Sequence, residues 1–317
     1  MNSHSDLVSR LITQIVAITF GLLPLIALAG TDTCSPQQVF NRQALESQNA
    51  TGPYAKGMLW KAARPGTSAS YLFGTMHLSN LFYRLPPAVA LALAKADNFI
   101  TETLVDRSDL VYYQQHMLSN DLPNLGSMFE PPLRTRLVRL LVNYGFDRQT
   151  ALKLKPWAAF TLLSRPKPTG AATLDQVLEE TARQQGKPIK GLQPIEELVS
   201  VLEGIPLAQQ REIVLDTVCN RGFIERQERE LVVRYLNQDL AGMLAVSRRY
   251  EPREPAVART FEKRLLLDRN QRMLKRLQTY LKHGNAFVAV GALHLAGKKG
   301  LLSGLAARGY RVTPIHY

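Results

Sequence analysis

Two segments far apart in the chain share one pattern. Tyr71-Leu72-Phe73-Gly74-Thr75-Met76-His77 and Val288-Ala289-Val290-Gly291-Ala292-Leu293-His294 each run as a short apolar strand, then glycine, two residues and histidine. Glycine there permits an abrupt turn or the close approach of a second backbone. The histidine then falls at the carboxyl end of a strand, where open α/β sheets place their ligands. One Gly-x-x-His would be noise. Two, each at a strand-to-helix junction, point to related halves of one architecture.

The surrounding pattern agrees. Met58 to Ala63 and Ser70 to Met76 read as a hairpin around Arg64-Pro65-Gly66-Thr67, and Pro86-Pro87 opens an Ala/Leu-rich helix to Ala96. Phe99 to Val105 returns to strand character, Pro188 to Leu192 is a short strand, and Ala286 to Val290 is a buried one. A helix over Ala296 to Arg308 and a last strand, Tyr310 to Ile315, close the chain. Helical periodicity fills most of 108 to 165 and 195 to 283. The expected fold is α/β: two β-α-β-type halves forming a central mixed sheet, with helical insertions between them.

Ahead of this lies a different composition. Leu11 to Leu28 is almost wholly apolar, follows Arg10, and leads into Ala27-Leu28-Ala29. That is the form of an export signal cut near Ala29. The expected divisions are a signal peptide over 1–29, an irregular lead-in over 30–56 and one α/β domain over 57–317. The mature protein would then be periplasmic or secreted. Cys34 and Cys219 are the two cysteines; in an oxidising compartment they could pair, though spacing alone leaves two separate thiols equally open.

The formal charge of +13 first suggests nucleic acid. Between Arg221 and Arg276, however, 14 Lys or Arg are interleaved with eight Asp or Glu, as in Glu225-Arg226-Gln227-Glu228-Arg229-Glu230. Such alternation marks a solvated helix face rather than a single-sign stripe with aromatics. No nucleic-acid partner is expected. A basic exterior suits an anionic envelope surface, and a peptide or small molecule would be the substrate.

Glu102 completes the candidate site. In Ile100-Thr101-Glu102-Thr103-Leu104, strand alternation sets it among large aliphatics, where a carboxylate must be paired, protonated or metal-bound. His77, Glu102 and His294 form a plausible divalent-metal set with positions left for water or substrate, suited to hydrolysis. Arg269, on a helix with Leu266 and Met273, could reach in to clamp an anion. Tyr71, Trp157 and Asp175 read as packing or capping. The chain has no Gly-x-Ser-x-Gly, phosphate loop or His-Glu-x-x-His.

Phe73-Gly-Thr-Met-His77, Glu102, Lys155-Pro156-Trp157, Gly191-Leu192, Arg269-Asn270 and Phe287-Val-Ala-Val-Gly291-Ala-Leu-His294-Leu-Ala-Gly297 together resemble the TraB/GumN family, related to the Tiki ectodomain peptidases and the EreA/ChaN-like fold. The resemblance spans about residues 57 to 315. It implies an α/β fold of two half-sheets and a metal-dependent peptidase activity with manganese or cobalt, zinc and iron being further candidates. By position, His77, Glu102 and His294 would be metal ligands, and His77, Glu102 and Arg269 the catalytic set. The family's usual Gly-Leu-Glu is Gly191-Leu192-Gln193 here, and an amide cannot be an anionic ligand or general base. Glu196 or Glu197 would compensate only if turned inward. The alternative is a non-catalytic envelope binding or signalling protein, holding a small ligand, haem-iron or peptide in the same cleft.

Overall fold

The computed structural model describes Cys34 and residues 54–77, 84–119, 121, 123–165, 167, 170–248 and 255–317. The proposed signal peptide and most of the lead-in lie outside these. Six strands form one sheet: β1 (Leu59–Ala63), β2 (Ser70–Thr75), β3 (Asn98–Thr101), β4 (Ile189–Gly191), β5 (Ala286–Gly291) and β6 (Arg311–Ile315), in the spatial order β4-β3-β5-β2-β1-β6. β1 runs antiparallel to both its neighbours, β2 and β6. The pairs β2–β5, β3–β5 and β3–β4 are parallel. Five strands therefore share one direction and only β1 opposes them. The fold is α/β with a mixed six-stranded sheet.

The helices in chain order are α1 (Pro87–Lys95), α2 (Arg107–Met117), α3 (Leu125–Met128), α4 (Pro131–Val142), α5 (Arg148–Lys153), α6 (Pro156–Leu163), α7 (Leu174–Gln184), α8 (Ile195–Glu203), α9 (Leu207–Cys219), α10 (Arg221–Leu236), α11 (Leu240–Arg248), α12 (Pro255–Phe261), α13 (Asp268–Leu281), α14 (Ala292–Leu295) and α15 (Leu301–Ala306). Thus β2-α1-β3 and β5-α14-α15-β6 are the two β-α-β units, and α2 to α13 lie between them, interrupted only by the short β4. No helix among the described residues is long and apolar enough to cross a membrane.

Local chemistry explains the starts. Pro87 stands in the first turn of α1, where its missing N–H costs nothing. Asp106 caps α2 in a reciprocal box with Asp109, and Thr173 does the same for α7 with Gln176. The sheet core is apolar on both faces, β5 being buried at every position, as a strand covered by helices must be. Phe99 stacks on Phe287 across β3 and β5 at a centroid distance of 6.0 Å.

Two sequence expectations fail locally. β3 stops at Thr101, so Glu102 lies just beyond the strand and alternation does not orient it. Instead, Leu192 N donates to Thr101 O (2.9 Å) and Gln193 N to Glu102 O (3.0 Å), which carries the β3–β4 pairing past both strand ends. The helix expected over Ala296 to Arg308 is reduced to α15, Leu301–Ala306, and a separate short helix, α14, ends just before it at Leu295. Gly297 separates them at φ +76°, outside the right-handed helical region.

Cys34 and Cys219 form a disulfide with a Cα–Cα distance of 5.2 Å, tying the start of the chain to the end of α9. The late basic helices carry paired charges, as the interleaving implied. Arg221 meets Glu225, Arg234 meets Glu230 and Asp239, and Lys263 meets Asp268.

Candidate functional site

The parallel strands deliver one site residue each from their carboxyl ends. β2 leads to His77, β3 to Glu102, β4 to Gln193 and β5 to His294. These four lie 25 or more positions apart in sequence, and strand pairing brings their backbones together. The carboxyl edge of a parallel sheet is where such folds bind ligands.

Gly74 shows how closely the two Gly-x-x-His segments approach. A Cβ on Gly74 would meet Ala292 Cα at 3.1 Å, so the bare backbone is what lets α14, and His294 with it, pack over β2. From the other side the buried Tyr235 hydroxyl donates to Gly74 O at 2.7 Å and fixes the turn leading to His77. Burial raises the Tyr235 pKa well above its ordinary value, so it stays a protonated donor.

Glu102 is 2% exposed and Arg269 0% exposed, and they form an ion pair through Arg269 Nη2 and Glu102 Oε1. Gly291 N donates to Glu102 Oε2 at 3.2 Å. Burial alone would raise the carboxyl pKa, but the Arg269 guanidinium and then His294 outweigh it and hold the group below the ordinary carboxylate range. Arg269 also donates from Nε to Gln193 Oε1 (3.1 Å) and from Nη1 to Leu265 O (3.3 Å). The latter bond is local, within the helix. A π-helical turn over Glu262–Leu267 precedes α13 and widens the helix where Arg269 must point inward. Arg269 is therefore core, not surface.

His294 is 2% exposed, and its Nδ1 lies 2.6 Å from Asn270 Oδ1. The same amide donates from Nδ2 to Lys299 O at 3.0 Å, which fixes which end faces the ring. Nδ1 of His294 therefore carries a proton. Burial lowers this imidazole's pKa, and the Glu102 carboxylate, whose Oε1 lies 3.6 Å from Nε2, acts against that shift. His77 differs: its Nδ1 lies 2.6 Å from Asp175 Oδ2 as an ion-pair contact, while that oxygen and the buried Nε2 of His77 make no hydrogen bond among the described residues. An outer group on one ring nitrogen with the other left open is the usual preparation of a metal-binding histidine.

Of the sequence-predicted residues, Arg269 and His294 both lie against Glu102, while His77, beyond the end of β2, meets Asp175. Among the described residues, however, no group of three or more His, Cys, Asp or Glu side chains is arranged to hold a metal ion. Glu102 faces Arg269, and His77 faces Asp175. To serve an ion, the carboxylate would have to share itself with the guanidinium.

Asp175 and Asn270 are the functional residues that sequence reasoning missed or underrated. Asp175 looked like a first-turn acid of α7, and Asn270 was only the neighbour of Arg269. Glu197 does not compensate for Gln193. It pairs with Arg272 at 2.6 Å and Arg276 at 2.5 Å, and Glu196 is exposed. Arg165, half-buried after α6, adds a cation whose field reaches Glu102 and Asp175; burial pushes its pKa down to about 10. Tyr71 is half-buried on β2, and Trp157 is core, edge-on to Tyr113 at 5.5 Å.

The sequence signature of the TraB/PrgY/gumN family matches residues 58–314. No curated protein and no solved structure matches the chain. The family match runs from β1 to β6 and takes in every site residue described above, and on it the chain belongs to the TraB/PrgY/gumN family.

Proposed function

We propose that this protein is an exported, divalent-metal-dependent hydrolase acting on carbonyl compounds, peptide bonds foremost. The observation that carries the reading is the pair of histidines at the strand ends. Asn270 ties off Nδ1 of His294, Asp175 Oδ2 lies 2.6 Å from Nδ1 of His77, and the buried Nε2 of His77 has no hydrogen-bond partner among the described residues. His77 and His294 would hold the ion, with Glu102 as a third donor, a nitrogen and oxygen set suited to manganese, cobalt, zinc or iron. Bound there, the ion would polarise a carbonyl and acidify a water.

The chain's own groups do the rest. Asn270 keeps the Nδ1 proton of His294 in place, Asp175 lies against Nδ1 of His77, and Arg269 keeps Glu102 ionised. A carboxylate held below its ordinary range is a weak proton acceptor, which favours a ligating or charge-setting role for Glu102 over that of general base. The Cys34–Cys219 disulfide supports export, since such bonds persist in oxidising compartments.

Metal analysis of the wild type, His77→Ala and His294→Ala proteins, with turnover on a peptide library, tests this. Stoichiometric metal should be present in the wild type after manganese or cobalt supplementation and lost in both variants. Wild-type protein without metal and without turnover would overturn it.

A second reading is favoured by the Glu102–Arg269 pair itself. A carboxylate already neutralised by a guanidinium belongs equally well to a binding cleft that holds a small ligand or peptide without turnover. Tight, His77-dependent binding with no hydrolysis would select it.

A further inference from the structure

Gln193 is 3% exposed and held at both ends of the residue. Its backbone N donates to Glu102 O at 3.0 Å, and its side-chain Oε1 accepts from Arg269 Nε at 3.1 Å. The second contact fixes the amide. Turned the other way, Nε2 would face Arg269 donor to donor. The Nε2 group is buried and has no hydrogen-bond partner among the described residues. A buried donor left unmade is unfavourable enough to call for an explanation.

It is not alone. Thr75 Oγ1, Thr103 Oγ1 and His77 Nε2 are likewise buried and unpartnered among the described residues. All four atoms belong to residues at, or within two positions of, the carboxyl ends of β2, β3 and β4. Other buried atoms without a partner, such as Tyr113 Oη and Trp157 Nε1, lie elsewhere among the described residues, so it is the gathering of four at one sheet edge that points to a ligand.

We infer that Gln193 Nε2 is a ligand-binding donor, which takes a carbonyl or carboxylate oxygen of the bound molecule at the carboxyl edge of β4. Arg269 is what makes this possible: by holding Oε1 it presents the donor end, and a carboxylate at position 193 would present only acceptors. The inference rests on the hydrolase reading only in taking the ligand to be a carbonyl compound. It makes Gln193 a residue with its own task in this chain, since a neutral donor favours an oxygen acceptor that a second carboxylate would repel.

The test uses the folded, disulfide-bonded protein labelled with ¹⁵Nε-glutamine, titrated with N-acetylglycine and with its neutral methylamide. The Gln193 resonances are identified by their loss in Gln193→Met, or in Gln193→Asn should the Met variant fail to fold. They should shift on titration, and the identifying variant should bind the same probe roughly tenfold more weakly, the loss of one hydrogen bond. Shifts with both probes assign the subsite to a carbonyl; shifts with the acid alone assign it to a carboxylate. Resonances that move with neither probe, or a variant that binds as well as wild type, would overturn the inference and leave a buried water as the partner. Metal content and peptide turnover of the same preparations separate the two claims. A metal-free, inactive protein whose Gln193 signals shift keeps the subsite and loses the hydrolase. An active metalloprotein whose signals stay fixed loses the subsite alone.

Discussion

Arg269 and Glu102 form a fully buried ion pair between residues 167 positions apart in sequence. It joins the helix α13 to the end of β3, and so couples the late helical section to the sheet edge. Removing one partner strands a charge in a medium that solvates it poorly. Arg269→Met should therefore destabilise the protein by about 3–5 kcal/mol at neutral pH, as breaking buried pairs does. Adding Glu102→Gln should recover a large part of that loss. The sign with pH follows from the depressed carboxyl. Its contribution is present above the ordinary value of 4.5 and is lost as pH falls. The deficit of Arg269→Met should accordingly shrink in acid, where Glu102 of the variant takes up a proton. Urea melts of the wild type and both variants at pH 7 and pH 4 measure it; a single variant as stable as wild type at pH 7 would refute the account.

The outer partners of the two histidines give a second prediction. Asp175→Asn and Asn270→Leu should each weaken divalent-metal affinity by about 10–100-fold while leaving the fold intact, because each changes the group beside Nδ1 of a histidine proposed as a ligand. Calorimetric titration with manganese or cobalt is the measurement. Unchanged affinity in both variants would mean that the Nδ1 contacts do not prepare the rings for metal.

The disulfide closes a long loop, its cysteines being 185 positions apart. Cys219→Ser should cost about 2–5 kcal/mol of stability, the range for a native bridge. Thermal unfolding with and without a reductant reads this directly. A wild-type protein whose midpoint ignores reductant would show that the bridge contributes nothing.

Asp216 on α9 is buried, and its Oδ1 accepts from Asn220 Nδ2 at 2.6 Å. Burial raises its pKa well above 3.8, with Glu212 adding to the effect against the Asn220 bond. A raised carboxyl contributes most at low pH, and the contribution is lost as pH climbs from 3.8 towards the folded value, at about 1.4 kcal/mol per pH unit. Asp216→Asn should then be more stable than wild type at pH 8, with the gain shrinking towards pH 4. Denaturant midpoints at the two pH values decide it; a variant less stable at pH 8 would contradict the argument.

Much of this site was legible before any coordinates. The strand-Gly-x-x-His pattern at 71–77 and 288–294 marks two parallel strands, because apolar runs buried on both faces and a glycine at the exit follow from local composition. Glu102 was legible as a carboxylate that needed a partner. Which partner was not. Arg269 reads from the sequence as a side chain that could reach in to clamp an anion, but the heptad-like apolar positions Leu266 and Met273 leave its own direction undecided. A π-helical turn, which no residue pattern announces, ends two residues before it. Asp175 was equally opaque: an acid in the first turn of a helix serves the dipole whether or not a histidine lies beside it.

The sequence by itself determined the element types, the two β-α-β units and the family, because these depend on short-range periodicity and on motifs that survive without a partner. It also determined which residues were chemically out of place in an apolar neighbourhood. Tertiary structure alone decided the pairings: Arg269 with Glu102, Asp175 with His77, Asn270 with His294, and Cys34 with Cys219. The physical reason is the same for each. Hydrogen bonds, ion pairs and disulfides act over a few ångströms, and only the ordering of parallel strands in the sheet brings residues from distant parts of the chain within that reach.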